Sequence, residues 1–220
     1  MSSFKELDRM NTIEKCERLV KEVYKHFDAS HDFQHIERVR KNALEILESC
    51  EHAEQEIVEL AVLLHDVSDP KYANDNEKSE ENRIIDLLHL PDDKVSHIKE
   101  VIRSISFNGG NEVEPKTIEA KIVRDADRLD AIGAVGVART FAYGGAKGRK
   151  LYDSRETPRA NMSAEEYRST KTASVTHFYE KLLLLADGML TEKGKELAQE
   201  RHAFMESFLQ NLRKETGETI

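Results

Sequence analysis

The sequence predicts an all-α fold, and three observations carry that prediction. Apolar residues recur at helical spacing along most of the 220-residue chain. No sustained apolar/polar alternation marks a strand, and polar helix-starting residues stand ahead of the periodic runs. A hydrophobic content of 39% is enough for one well-buried core, so residues 1–220 are expected to form a single domain.

In chain order, Asn11 and Glu14 have the spacing of a capping box, and Ile13, Cys16, Leu19, Val20, Val23 and Phe27 mark one face of the helix that follows. A second helix is expected from near Asp32, with Ile36, Val39, Ala43, Ile46, Leu47 and Cys50 toward the core. A third, over about residues 54–66, is apolar enough to be central: Ile57, Val58, Leu60, Ala61, Val62, Leu63 and Leu64 leave it little polar surface. Pro91 and Pro115 stand ahead of two further periodic runs, one with Val95, Ile98, Val101, Ile102 and Ile105 and one with Ile118, Ile122 and Leu129. Both read as helices. The stretch YGGAKGRKLYDSRETP, residues 143–158, breaks the pattern with glycines, a proline and basic residues, and is expected as a long loop of the kind that tends to be functional. Ser163 with Glu166 starts another helix, and Thr191 opens a last amphipathic one carrying Leu197, Phe204, Phe208 and Leu212.

A formal net charge of −9 gives no general pull toward nucleic acid polymers or anionic membranes, although a charged metabolite in a local basic pocket is compatible with it. Cys16 and Cys50 have no metal-binding spacing and read as two buried thiols of a reducing compartment. The N-terminus is charged throughout and the longest aliphatic run is 182–185, so neither a signal peptide nor a membrane span is expected, and a cytoplasmic location is. A homodimer is left open.

Two His-Asp dipeptides raise the question of a metal. Asp32 stands just before its helix and has an ordinary role as N-cap, with His31 a solvated turn residue. His65, in LLHDVSDP, instead lies at the end of the most apolar helix on the face that enters the core, with Asp66 one step around the helix. Burying a carboxylate beside an imidazole is costly unless a cation or a hydrogen-bond network compensates it. His35 one turn before Val39, and Asp127 one turn after Val123, are further polar residues at otherwise apolar helical positions. Two imidazoles and two carboxylates form an N2O2 donor set that suits a borderline divalent ion and leaves coordination positions open. On the helix IVRDADRLDAIGAVGVAR, Asp125 is accounted for by a solvated face pairing with Arg124 and Arg128, whereas Asp127 and Asp130 share a face and either could reach such a site.

With His35 in HDFQHIERV, His65 and Asp66 in LLHDV, and Asp127 in DADRLDAIG, the chain resembles the HD-domain metal-dependent phosphohydrolases of the small stand-alone bacterial type. The motifs cover about residues 15–145. The resemblance implies a helical bundle with a metal site between core helices, helices of 163–213 packed on it, and one divalent ion (Mn, Mg, Fe, Co, Ni or Zn) held by His35, His65, Asp66 and Asp127. It also implies hydrolysis of a phosphate ester or anhydride of a small nucleotide, as a monophosphatase or a triphosphate pyrophosphohydrolase, by metal-activated water. Asp69 matches an acidic position of related nucleotide-cleaving enzymes and is the candidate for orienting water or protonating the leaving group. Lys71 and Arg128 adjoin the ligands, and Lys147 and Arg149 lie in the basic loop; these are the candidates for the substrate phosphates. Asp130 is expected beside the ligands, orienting one of them. A non-catalytic metal- and nucleotide-binding sensor is the alternative, and the retained ligand set with Asp69 favours the enzyme.

Overall fold

The computed structural model describes residues 10–25, 33–67, 79–105, 113–159 and 172–218. The expectations for His31, Asp32, Asp69, Lys71, Ser163 and Glu166 lie outside these residues. Every regular element among the described residues is helical, as the periodicity predicts. None of these helices is long and apolar enough to cross a membrane. The chain divides into two compact units, residues 1–105 with 114–123, and residues 106–113 with 124–220.

The first unit is built on α1 (Thr12–Tyr24), α2 (Phe33–Leu47), α3 (Gln55–Leu64), α4 (Glu80–Leu88), α5 (Asp92–Ile105) and the first half of α6 (Ile118–Asp130). The capping box forms as expected: Asn11 Oδ1 accepts from the Glu14 N–H at 2.9 Å and Glu14 Oε2 accepts from the Asn11 N–H at 3.2 Å. Helix α3 packs against α1, α2 and α5. All of its residues from Ile57 to Leu64 are buried, which is what an all-round apolar helix requires. The one charge among them, Glu59, binds Arg40 of α2, and Arg40 also donates to Glu17 of α1 at 2.9 Å. This linkage holds three helices by charge-assisted bonds. Glu119 on α6 accepts from the Glu54 N–H at 2.9 Å and so satisfies one orphan donor at the start of α3.

Cys16 is fully buried, and that burial, followed by the neighbouring Glu17 charge, pushes its thiol up to about 12. Cys50 differs from expectation. Helix α2 ends at Leu47, so Cys50 lies beyond it and is only half-buried.

The second unit holds the end of α6, then α7 (Gly133–Ala146), α8 (Ser174–Glu180), two 3-10 turns over Leu182–Leu184 and Ala186–Gly188, and α9 (Glu192–Thr216). Helix α7 packs against α8 and α9. It runs through Gly144 and Gly145, where the sequence suggests a loop, so the irregular stretch starts only at Lys147. Packing explains the first of these glycines, because a Cβ at Gly144 would overlap Ser174 Oγ at the start of α8. Thr191 caps α9 as predicted, its side chain accepting from the Gly194 N–H at 3.0 Å. The buried stripe of α9 is Leu197, Ala198, Met205 and Leu209, while Phe204 is 48% exposed.

Candidate metal centre

His35 lies in the first turn of α2, next to buried Ile36, and its side chain is 14% exposed. Regular helix in α3 ends one residue earlier than His65, which serves as C-cap with right-handed helical dihedrals. Carbonyls of a last helical turn lack intrahelical donors. His65 supplies one: its Nδ1 stands 2.8 Å from the Val62 carbonyl oxygen. Since a carbonyl only accepts, the proton of the neutral ring sits on Nδ1 and the lone pair on Nε2. This is the arrangement in which a backbone carbonyl fixes the tautomer of a ligating histidine.

Asp66 Oδ2 lies 3.5 Å from His35 Nε2 and 3.6 Å from His65 Nε2. The two rings meet edge to face, with centroids 5.5 Å apart. Both N···O separations exceed a well-formed N–H···O hydrogen bond. Two donors bound to one ion at about 2.1 Å, subtending roughly 90–120°, stand about 3.0–3.6 Å apart, so the observed spacing fits shared coordination. The His65 side chain is 3% exposed and that of Asp66 is 44% exposed, which leaves the carboxylate side of the group open. Two neutral imidazoles and a carboxylate are suitable donors for a borderline divalent ion.

The remaining predicted site residues are placed as follows. Asp127 is half-buried on α6, in the second unit. Asp130 is buried and binds Arg139 Nη1 at 2.7 Å. Arg128 donates to the Gly188 carbonyl at 3.0 Å. Lys147 and Arg149 stand over the ring of Tyr143, at 5.8 and 5.4 Å from its centroid.

Asp125 is not on a solvated face. It is fully buried, and its carboxylate accepts from the Leu190 N–H at 3.0 Å and from the Thr191 N–H and hydroxyl at 2.7 Å each. Burial pushes its carboxyl up, against the opposing pull of the Thr191 and Leu190 donors. Arg139, which fixes Asp130, and Tyr143 escape motif reading. Arg139 is separated from Asp130 by the break between α6 and α7, and Tyr143 sits in a stretch read as loop.

The helical fold and this donor group are those of one class: the chain belongs to the HD-domain family, whose match covers residues 32–132. Its fold is that of the HD-superfamily hydrolases. An HD-superfamily hydrolase of Bacillus thuringiensis superposes with a TM-score of 0.74 at 39% identity, over 93% of this chain and 96% of that one. YpgQ of Bacillus subtilis is 38% identical over 192 residues, 85% of each chain. The crystal structure of YpgQ in complex with ADP superposes with a TM-score of 0.70 at 34% identity, over 92% of this chain and 97% of that one.

Proposed function

We propose that the protein is a metal-dependent phosphohydrolase acting on a small nucleotide. The observation that carries this reading is the Asp66 oxygen standing 3.5 and 3.6 Å from ring nitrogens of two histidines. Asp127 is proposed as the fourth donor, on its position one turn past Val123 and on the family resemblance. The family match, over residues 32–132, includes all four of these residues. A nucleotide is favoured over other phosphate esters because a relative binds ADP.

When bound, a divalent ion supplies Lewis acidity toward a phosphoryl oxygen and acidifies water. The protein supplies the rest. Val62 holds the His65 ring in the tautomer that presents Nε2, and the exposed side of Asp66 admits substrate oxygens. Asp69, three residues past Asp66, orients the attacking water or protonates the leaving group. Lys71, Arg128, Lys147 and Arg149 are assigned to the phosphates. Asp130, fixed by Arg139, orients the neighbouring ligand.

The test is to reconstitute the purified chain with Mn or Mg and assay phosphate and pyrophosphate release from a panel of nucleoside mono-, di- and triphosphates. Metal-dependent release that vanishes in His65→Ala supports the reading. Nucleotide binding without turnover on any member would assign the chain to the sensor class instead.

A further inference from the structure

The basic side chains between residues 147 and 159 fall into two groups. Lys150 and Arg155 both bind Asp153, at 2.7 and 2.8 Å, and Arg159 binds Glu180 through Nε and Nη2 at 2.7 and 3.1 Å. Lys147 and Arg149 have no carboxylate partner among the described residues. Their cations instead stand over Tyr143, a residue that is 50% exposed. Arg149 Nε is buried without a hydrogen-bond acceptor among the described residues. An orphaned donor of this kind is costly, and an anionic acceptor would offset that cost.

The surroundings are held in place. Burial, then the charges of Lys181 and Arg149, lower His177 to about 4, so its imidazole is neutral near pH 7 and adds no charge of its own. The Arg149 N–H donates to the Gly144 carbonyl at 2.8 Å. Just beyond it, the Lys150 and Leu151 carbonyls accept from the Ser174 and Val175 N–H groups, each at 2.9 Å. The backbone that carries Arg149 is therefore tied to α7 on one side and α8 on the other.

We propose that Tyr143, Lys147 and Arg149 form a binding platform for a nucleoside diphosphate moiety. The Tyr143 ring stacks on the base and the two cations take the phosphates. Stacking on an aromatic face is tolerant of base identity, and a guanidinium matches paired phosphate oxygens. Two uncompensated cations suit two linked phosphoryl groups better than one. The role of this platform in turnover rests on the phosphohydrolase reading above, but nucleotide binding to it does not.

The experiment is calorimetric titration of the full chain in chelator with ADP and with inorganic pyrophosphate. Arg149→Gln should weaken both probes at least about 10-fold, the loss expected when a charge-assisted hydrogen-bonding group is removed. Tyr143→Leu should weaken ADP by roughly 10-fold through lost stacking and leave pyrophosphate within about 2-fold, while Tyr143→Trp keeps ADP binding. Equal ADP affinity in wild type and a folded Arg149→Gln protein would overturn the platform. So would no ADP binding by the wild type. Absence of nucleotide hydrolysis together with Arg149-dependent ADP binding would reject the phosphohydrolase and leave the platform standing.

Discussion

Replacing Asp125 with alanine should destabilise the fold more than any other single acidic change on α6. The carboxylate is fully buried and receives the Leu190 N–H, the Thr191 N–H and the Thr191 hydroxyl at 2.7–3.0 Å. Removing it leaves three donors without that acceptor, at about 1–2 kcal/mol each, or roughly 3–6 kcal/mol. It also removes a favourable negative charge from the first turn of α9, about 0.5–1 kcal/mol. Against these losses stands relief of the desolvation cost of a buried carboxylate, a few kcal/mol. The net expectation is a loss of about 3 kcal/mol, a large share of the roughly 5–15 kcal/mol that stabilises a domain. Urea unfolding followed by circular dichroism measures the loss, and hydrogen exchange localises it. The amides at the start of α9, beginning with Gly194, should lose protection first. A change under 1 kcal/mol, or loss of protection spread evenly over the chain, would refute the reasoning.

Three further outcomes are expected. Gly144→Ala should cost about 1–3 kcal/mol by overpacking, and Ser174→Ala in the same chain should recover most of it, because the Ser174 Cβ would then be at an ordinary 3.4 Å; no recovery in thermal melts would locate the strain elsewhere. His177 is lowered from 6.5 to about 4, so between those values the unfolded chain binds the extra proton and stability falls as pH drops. Relative to His177→Gln, the wild type should lose on the order of 3 kcal/mol more between pH 7 and pH 4; parallel urea midpoints for the two proteins would contradict this. Asp127→Asn should lose most bound metal, whereas Asp130→Asn should retain it and lose about 10- to 100-fold in rate; the reverse order on metal analysis would exchange the two roles.

The helices and the donor group are legible in the sequence because their signals are local. The Asn11–Glu14 pair lies within one turn, and α3 announces its central place by having almost no polar residue between Ile57 and Leu64. His65 and Asp66 stand out against that apolar run. What fails depends on partners distant in sequence. Asp125 looks solvated beside Arg124 and Arg128, and nothing local reveals that the α9 N-terminus, 65 residues on, supplies its donors. Gly144 and Gly145 read as loop because glycine is a poor helix former, yet contact with Ser174 demands the first of them. On α9, Leu197 is buried and Phe208 meets the rings of Phe141 and Phe178 as the apolar period predicts, but Phe204 is exposed and Met205 is buried in its place, a choice that periodicity alone cannot resolve.

The central claim is that His35, His65, Asp66 and Asp127 hold one divalent ion. The most direct measurement is an anomalous difference map from crystals of the Mn-loaded chain. The claim predicts one strong peak about 2.0–2.4 Å from His35 Nε2, His65 Nε2 and an oxygen of each aspartate. A peak bound elsewhere, or no peak at that position in crystals soaked with saturating Mn, would contradict it.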